Sequence, residues 1–462
     1  MPAGDTIAAI ATPQGSGAIG IVRLSGPEAV SVADTLVRRP GASLAQCRSH
    51  RAVRGVVIDP TTGEELDDVV VISYREPNSY TGEDMVEICC HGGSYLLSRV
   101  LGACLDSGAR MASPGEFTYR AFLNGKLDLA QAEAVADLIS ARTSAALRAA
   151  NRLRAGALSE IVVSLRDELL DACSSIEAAI ETDDEDTLDA AASLQGDLAR
   201  LAGRIDALLT QARAGRALRE GYRVAIVGRP NVGKSTLFNA LLRRSRAIVS
   251  PAPGTTRDTI EETVEMGGLA VTFIDTAGLH RARGIAETIG LQRTQQAVDE
   301  ADAVLLVLAA GRAPSEPERE LASRLGDRCV AWVINKTDVL PLHRLARALA
   351  RLQAQSPSAP LLGISAITGE GLPELEKRIV QSALGPAGDS DHVLVTHERH
   401  VRALQEAMRA VGLCREGLTT GIPMDVAALY LREAADSLAH VIGTTVPEDV
   451  IGRLFSRFCM GK

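Results

Sequence analysis

The sequence predicts a multidomain α/β protein, because its hydrophobic periodicity changes near residues 120, 215 and 384. Residues 1–120 carry short apolar runs bounded by Gly, Pro and Asp, which is typical of strands. Residues 121–215 and 385–462 repeat apolar side chains every three or four positions, which indicates helices. Residues 216–384 alternate strand-like and helix-like runs around a glycine-rich loop. We therefore expect an N-terminal α+β domain, a helical domain made of two chain segments, and an α/β domain inserted between those segments.

Bulk composition is compatible with this class. The chain has 462 residues, 46% of them hydrophobic, and a net charge of −9, which argues neither for nor against a nucleic-acid partner because only a local basic patch is needed. No basic N-terminal region precedes an apolar core, and no apolar run reaches the ~18 residues of a membrane span. We therefore expect no membrane contact. The 8 cysteines form no C-x-x-C pair, which favours a reduced, cytoplasmic protein.

In the N-terminal domain, the adjacent residues Cys89, Cys90 and His91 resemble a metal site. Neighbouring strand residues point to opposite faces, so we expect them to pack rather than to bind an ion. The predicted strands of this domain are 7–12, 18–24, 52–58, 69–74 and 85–90, with helices near 27–38 and 94–106.

Both outer helical segments carry apolar stripes, and the simplest arrangement packs the two segments together, so that the ends of the inserted domain lie close in space. The stripe of the first segment is Leu158, Ile161, Val162, Leu165, Leu169, Cys173, Ile176 and Ile180, and a further helix is expected near 187–214. The second segment has one stripe at Val401, Leu404, Met408 and Val411 and another at Val450, Ile451, Leu454, Phe455 and Phe458.

The inserted domain opens with the motif G-x-x-x-x-G-K-S at 228–235, between an apolar strand-like run and a helix-like run. This context predicts a phosphate-binding P-loop, in which backbone N–H groups and the helix N-terminus face phosphate oxygens. Lys234 is expected to reach the β- and γ-phosphates and Ser235 to ligate Mg²⁺. The nucleotide-binding residues predicted in and beside the loop are Asn231, Val232, Gly233, Lys234, Ser235 and Thr236.

Further motifs follow in order and argue against a chance glycine loop. Thr255 and Thr256 lie in a loop where a threonine completes the Mg²⁺ shell when the γ-phosphate is present. The run Asp275-Thr276-Ala277-Gly278 follows a strand and suits the metal and the γ-phosphate. In the run Asn335-Lys336-Thr337-Asp338, the Asp338 carboxylate is suited to accept hydrogen bonds from the N1–H and the exocyclic amine of guanine. Ser365 and Ala366 fit the loop behind the base. Together these motifs predict a GTP hydrolase.

Two residues bear on the hydrolytic mechanism. Leu279 stands where a Ras-like protein carries its water-orienting glutamine, so another group must orient the water. The Asn231 side-chain oxygen is suited to hold a monovalent cation against the phosphates, where an arginine finger otherwise acts. The alternative for Asn231 is a plain turn residue after Pro230.

Outside these motifs, distinctive stretches extend over the chain. They are 5–13 (DTIAAIATP), 77–84 (PNSYTGED), 91–93 (HGG), 114–118 (PGEFT), 121–134 (AFLNGKLDLAQAEA) and the C-x-G-K end at 459–462. With them the whole chain resembles the MnmE (TrmE) family of tRNA modification GTPases.

The resemblance implies an N-terminal domain that binds tetrahydrofolate and dimerises, a helical domain, and an inserted Ras-like G domain. It also implies an activity. With an FAD-dependent partner, MnmG (GidA), in a heterotetramer, the family adds an aminomethyl-type group to C5 of the tRNA wobble uridine. The one-carbon unit comes from 5-formyl- or methylene-tetrahydrofolate, and GTP hydrolysis is stimulated by K⁺ as the G domains of the homodimer meet.

The resemblance also implies residue roles. Asn231 matches the P-loop K⁺ ligand, with Thr255 and the backbone of Ser250 and Ala252 as its loop partners, while Ser235 and Thr256 match the Mg²⁺ ligands. Glu287 matches the catalytic glutamate that orients water indirectly. Cys459 matches a functionally important cysteine of the family. The folate-contacting positions are matched by Arg23, Glu87, Lys126 and Lys462.

The chain departs from the family pattern in its potassium loop, where Pro251 and Pro253 stiffen the backbone. Two other classes of function stay open at this point. One is an Era-like ribosome-assembly GTPase, which carries an RNA-binding module with a G-x-x-G loop after the G domain; here helical periodicity follows instead. The other is a signalling switch without chemistry of its own, which needs neither Glu287 nor the folate residues.

Overall fold

Two seven-stranded sheets organise the computed structural model. By their contacts, residues 1–136 and 439–462 form one unit and residues 137–438 form the other. The multidomain α/β class predicted from the sequence is confirmed, whereas the boundaries at 120, 215 and 384 stay predictions. The structure describes residues 4–41, 43–182, 187–244, 246–247, 260–275, 295–355, 360–385, 394–444, 446, 448–456 and 458–462.

Strands and helices are numbered here in chain order. The strands are β1 Ile7–Ile10, β2 Ile19–Ser25, β3 Val37–Arg38, β4 Arg51–Ile58, β5 Glu65–Tyr74, β6 Met85–His91, β7 Arg110–Met111, β8 Tyr222–Val227, β9 Arg246–Ala247, β10 Ile260–Met266, β11 Leu269–Asp275, β12 Ala303–Ala309, β13 Cys329–Asn335 and β14 Leu361–Gly363. The helices are α1 Ala29–Leu36, α2 Ser94–Asp106, α3 Glu116–Leu123, α4 Leu129–Ser140, α5 Ser144–Arg154, α6 Ala157–Thr182, α7 Thr187–Leu209, α8 Ala212–Glu220, α9 Lys234–Arg244, α10 Glu316–Leu325, α11 Leu342–Gln355, α12 Leu372–Leu384, α13 Glu398–Thr420, α14 Met424–Ile442 and α15 Glu448–Phe455.

The first sheet has the order β3-β4-β5-β6-β2-β1-β7, and α1 and α2 pack on one of its faces. Alternation along β6 sends Ile88 and Cys90 into that helix-covered core. Cys89 is only half-buried and belongs to the other face. Cys90 packs as predicted, and burial raises the pKa of its thiol to about 12. The prediction is wrong for His91, whose side chain is exposed and whose Nδ1 lies 2.7 Å from Asp67 Oδ1.

The C-terminus packs into the same unit as the first sheet. Phe455 and Phe458 join Leu129 and Ala132 of α4 in one apolar cluster, which we call the Phe455 cluster. Gly461 lies so close to β1 that a Cβ there would stand 2.3 Å from the Ile10 carbonyl oxygen. The last residues of the chain are thereby fixed against the N-terminal sheet.

The second sheet has the order β14-β13-β12-β8-β11-β10-β9, with β8 and β11–β14 parallel. Its central strands are buried on both faces, which explains why β12 and β13 read as continuous apolar runs. After β8, the strands β9, β10 and β11 lie on one side of β8, and the later strands β12, β13 and β14 lie on its other side. Ligands bind at the carboxyl end of such a strand, where the order reverses.

Helices that precede the second sheet in the sequence pack against helices that follow it. The α7 helix contacts α13, and Gln195 Nε2 donates to the Arg415 carbonyl oxygen at 2.9 Å. Cys173 on α6 is buried and its Sγ approaches the Ala428 carbonyl oxygen of α14 at 3.7 Å. These contacts join chain segments that precede and follow the parallel sheet.

Candidate functional site

The loop between β8 and α9 is closed on itself by a lysine. Lys234 is 4% exposed, and its Nζ donates to the carbonyl oxygens of Gly228 at 2.7 Å and Arg229 at 3.0 Å. A Cβ on Gly228 would stand 2.3 Å from the Val307 carbonyl oxygen, so only glycine fits there. Two loop carbonyl oxygens thus hold the buried Lys234 ammonium group at the phosphate loop, where a P-loop lysine is expected to reach the phosphates.

The end of this loop also requires glycine. Gly233 has a φ of +94°, and a Cβ there would stand 2.3 Å from Asn335 Nδ2. Ser235 and Thr236 are exposed in the first turn of α9, where backbone N–H groups and the helix dipole favour an anion. The predicted phosphate and Mg²⁺ residues of this segment therefore face one edge of the sheet.

Asn335 ties three loops of this edge together. Its side chain is buried, and Nδ2 donates to the Val232 carbonyl oxygen at 3.0 Å. Its Oδ1 accepts from the backbone N–H groups of Lys336 at 2.8 Å and Ala366 at 3.1 Å. One amide side chain therefore sets the positions of the phosphate loop, the loop after β13 and the loop that holds Ser365.

Lys336 and Asp338 follow Asn335 with different roles. Lys336 has a φ of +67°, and its Nζ donates to the Asn231 carbonyl oxygen at 2.8 Å, which adds a second link to the phosphate loop. Asp338 lies in the short 3-10 turn Thr337–Val339 and its side chain is exposed. An exposed carboxylate beside this rigid frame is able to accept from a purine that carries two adjacent donors.

Asp275 ends β11, directly beside Ile226 of β8 in the parallel register. Its backbone is therefore placed next to the strand that leads into the phosphate loop. The remaining predicted residues of the nucleotide, metal and catalytic sets lie outside the described part of the chain, and so does the Asp275 side chain. They are Ser250, Ala252, Thr255, Thr256, Thr276, Ala277, Gly278 and Glu287.

A second candidate site lies on the N-terminal sheet, where Arg23 and Glu87 are cross-strand neighbours on β2 and β6. Arg23 Nε and Nη2 donate to Glu87 Oε1 at 3.0 and 2.7 Å, and Nη1 donates to the Gly461 carbonyl oxygen at 3.0 Å. Arg23, Glu87 and Lys462 line a cavity of ≈ 440 Å³. The structure therefore brings together residues from the start, the middle and the end of the chain.

The cavity combines both signs of charge with aromatic rings. Tyr74 Oη donates to Glu87 Oε2 at 3.1 Å, and burial together with the Glu87 charge raises the pKa of Tyr74 to about 12. Burial and the nearby Arg23 charge lower the pKa of Lys462. A planar ligand with donors at one end and acceptors at the other suits such a lining.

Lys126 and Cys459 are not cavity-lining residues in the described structure. Lys126 Nζ donates to the Pro77 carbonyl oxygen at 3.0 Å, next to the cavity residue Asn78. Cys459 is a free, exposed thiol whose backbone oxygen accepts from the Gly115 N–H at 3.4 Å. Both residues thus belong to the same unit as the cavity.

Reasoning from the sequence missed Tyr74 and His50, which also line the cavity. The two rings meet edge to face with centroids 5.0 Å apart, and His50 has a φ of +62°. Tyr74 alternates onto the open face of β5, but that signal becomes useful only when the register of β5, β6 and β2 is known. Nothing in the sequence around His50 indicates that its backbone adopts a left-handed conformation.

Among the described residues, no helix combines the length and the apolar character needed to cross a bilayer. No cluster of three or more His, Cys, Asp or Glu side chains in that part of the chain is arranged to hold a metal ion.

Comparison with known proteins gives matches over nearly the whole chain. Residues 6–126 match the family model described as the GTP-binding protein TrmE N-terminus, and residues 129–459 match the MnmE helical domain. The tRNA modification GTPase MnmE of Moorella thermoacetica is 44% identical over 461 residues, which is 99% of each chain. The protein of that name from Geobacillus kaustophilus is 42% identical over 464 residues, again 99% of each. The chain therefore belongs to the MnmE family of tRNA modification GTPases.

Proposed function

We propose that this GTPase modifies tRNA by helping to add a carboxymethylaminomethyl or aminomethyl group to C5 of the wobble uridine, position 34. In this proposal an FAD-dependent MnmG partner shares the reaction, and a folate supplies the one-carbon unit. The observation that carries the proposal is the presence of two different sites on one chain of this family. One is the phosphate loop beside the Asp338 carboxylate, which suits guanine. The other is the cavity on the N-terminal sheet, which is lined by charged and aromatic side chains.

For the GTP site we propose the roles predicted from the sequence. Lys234 compensates phosphate charge, Asn335 holds the loops, and Asp338 selects guanine. The exposed Ser235 hydroxyl and the strand-end position of Asp275 fit Mg²⁺, which prefers oxygen ligands; Thr256 is the proposed further ligand. Bound Mg²⁺ neutralises charge on the phosphates. Glu287 is the proposed group that orients the attacking water indirectly.

We further propose that Asn231 holds K⁺ together with Thr255 and the backbone of Ser250 and Ala252. The Asn231 backbone is fixed in a left-handed conformation, with φ at +65°, by the bond from Lys336. Its side chain is exposed beside the phosphate loop. A rigid backbone and an accessible amide oxygen are what a cation ligand at this place needs.

Replacing K⁺ with Na⁺ at equal ionic strength is expected to lower the GTP turnover number by about tenfold or more. The reason is that the smaller ion fits poorly among the oxygen ligands proposed for K⁺. The Asn231→Ala variant should turn over GTP equally in both salts, while the exposed-lysine variant Lys377→Ala should keep the potassium preference. Steady-state phosphate release measures both quantities. Equal rates of the wild-type chain in the two salts would rule out the role of Asn231 as an ion ligand.

The cavity on the N-terminal sheet is the proposed folate site. Arg23 and Lys462 offer cations for the glutamyl carboxylates and pterin acceptors, and Glu87 offers acceptors for the pterin amine. Lys126 is proposed to contact the ligand from the neighbouring Pro77–Asn78 segment. Cys459 is proposed to take part in the modification reaction from the same unit.

The Glu87→Gln variant is expected to bind 5-formyltetrahydrofolate about tenfold or more weakly, because it loses a charged acceptor whose side chain is largely shielded from water. Glu65→Gln is the matched control, since Glu65 is an exposed glutamate of the same sheet. Titration calorimetry on the full chain measures the affinity. Unchanged affinity of Glu87→Gln, or absence of binding by the wild-type chain, would refute the folate assignment.

We propose that the chain forms a homodimer through the face of the N-terminal sheet opposite α1 and α2. That face carries Ile19, Ile21, Val70 and Ile72, and Ile19 and Val70 are 66% and 44% exposed. An apolar sheet face of this kind is normally covered by another surface. The cavity with Arg23 and Glu87 lies on the same face, so a second copy would stand next to the folate site.

The insertion of the G domain into the helical domain is also a proposal. The match of residues 129–459 to one helical-domain model and the contacts between α7 and α13 support it. The close approach of the segments that lead into and out of the parallel sheet supports it further.

A further inference from the structure

The chain reaches the parallel sheet through α8 and leaves it through residues 394–397, and these two connections pack tightly. We call them together the neck. A Cβ on Gly215 of α8 would stand 1.8 Å from the Val395 carbonyl oxygen, so the two backbones touch. Gln211 Oε1 also accepts from the Leu394 N–H at 3.0 Å. The two connections of the neck are therefore packed against each other rather than separate linkers.

An imidazole joins the neck to helix α4. Arg219 Nη1 contacts His397 Nδ1, and His397 Nε2 lies 2.8 Å from Asp137 Oδ2. Because arginine offers no acceptor, the tautomer that suits both contacts accepts at Nδ1 and donates from Nε2 to Asp137. The His397 and Asp137 side chains are only 16% and 12% exposed. We call Asp137, His397 and Arg219 the latch.

Arg219 is held from its other side as well. The Glu220 carboxylate contacts Arg219 and accepts from Arg216 Nε at 3.0 Å. Burial opposes the charge of Glu220, but Arg219 and Arg216 hold its pKa below the usual range. The guanidinium of the latch is thereby fixed between a carboxylate and an imidazole.

Next to the latch, open space separates the amino ends of the parallel strands from α13. A cavity of ≈ 510 Å³ is lined there by Asp302, Asp327 and Arg328 on one side and by Glu398 and Val401 on the other. Gly221, between α8 and β8, has a φ of +88°, and such residues absorb the backbone change at hinges. A glycine with the backbone freedom of a hinge and an open cavity thus lie together at the amino edge of the parallel sheet.

We propose that His397 is a positioning residue whose latch transmits the state of the GTPase domain to α4, so that GTP hydrolysis is coupled to tRNA modification. The nucleotide site lies at the carboxyl edge of the sheet, and the neck lies at the opposite edge. The latch connects that edge to α4, whose residues Leu129 and Ala132 belong to the Phe455 cluster. The modification half of this inference rests on the proposed function, whereas the latch rests on the geometry alone.

The test compares the full-length variants His397→Ala, Arg219→Gln and their combination with the wild-type chain. Each is assayed for GTP turnover and for formation of the modified wobble uridine with the purified flavoprotein partner. We expect GTP turnover within about twofold of wild type and uridine modification reduced about tenfold, as for a typical coupling free energy. The double variant should be no worse than either single variant, because both remove the same latch. His343→Ala, an exposed histidine of α11, is the matched control and should leave both activities unchanged.

A parallel loss of both activities, or full modification by His397→Ala, would overturn the coupling role. If the wild-type chain itself modifies no uridine, that result refutes the proposed function but leaves the latch to be tested separately. The latch is then decided by urea unfolding of the same four proteins. Non-additive losses of unfolding free energy for positions 219 and 397 support it, and additive losses overturn it.

Discussion

Replacing Lys234 with alanine is expected to lower kcat/KM for GTP by about 100- to 1000-fold, which is the usual cost of removing one hydrogen-bond donor that stabilises a transition state. Lys234 is the buried ammonium group that the phosphate loop wraps around, bonded to the carbonyl oxygens of Gly228 and Arg229. Without it, the loop loses both these bonds and the charge that we propose faces the phosphates. Steady-state GTP hydrolysis at several substrate concentrations measures the effect.

Lys377→Ala provides the control for this experiment, because Lys377 is an exposed lysine of α12 in the same domain. It should hydrolyse GTP like the wild-type chain. Circular dichroism and thermal unfolding establish that Lys234→Ala is folded. A folded Lys234→Ala protein that keeps wild-type hydrolysis would show that this loop is not the phosphate site.

Replacing Asp338 with asparagine is expected to reverse the base preference from guanosine to xanthosine triphosphate. In the proposed complex the guanine N1–H and exocyclic amine both donate to the Asp338 carboxylate. Xanthine carries a carbonyl oxygen in place of that amine. An asparagine amide donates to that oxygen and leaves the guanine amine without its acceptor. Loss of such a paired group is expected to weaken GTP binding by about 10⁴-fold.

The expected reversal is measured by competition of the two triphosphates for the full chain. Asp327→Asn is the control, because Asp327 is an exposed aspartate at the opposite edge of the same sheet. It should keep the preference for guanosine triphosphate. An Asp338→Asn protein that still prefers guanosine triphosphate would mean that another group reads the base.

The nucleotide motifs are readable in the sequence because their chemistry is local. The eight residues at 228–235 specify their own turn, and β8 and β13 are apolar runs that end where the polar motif residues begin. The strands of the first sheet are also recognisable from alternation, and β1, β2, β4, β5 and β6 fall where the sequence predicts them. The two-residue strands β3 and β7 are too short to leave a periodic signal.

The cavity on the N-terminal sheet is different, because it depends on contacts between distant parts of the chain. Arg23 and Glu87 are 64 residues apart, and Arg23 and Gly461 are 438 residues apart. Their proximity follows from the β2–β6 register and from the packing of Phe455 and Phe458, neither of which composition or periodicity reveals. Only the family resemblance singled out Arg23, Glu87 and Lys462 in advance.

The latch of Asp137, His397 and Arg219 has the same origin. His397 and Asp137 are 260 residues apart in the chain, and the parallel sheet lies between Arg219 and His397 in sequence. In the sequence alone, a single histidine before a predicted helix is interpreted as an ordinary surface residue. Its contacts with Arg219 and Asp137 become apparent only in the folded structure, where the segments before and after the parallel sheet meet.

The most direct test of the proposed function is nucleoside mass spectrometry of bulk tRNA from cells that lack this gene. The proposed function predicts that the 5-substituted wobble uridine disappears, returns with the wild-type gene, and does not return with Glu287→Ala. An unchanged nucleoside profile accompanied by defective ribosomal subunits would contradict it and point to a ribosome-assembly GTPase.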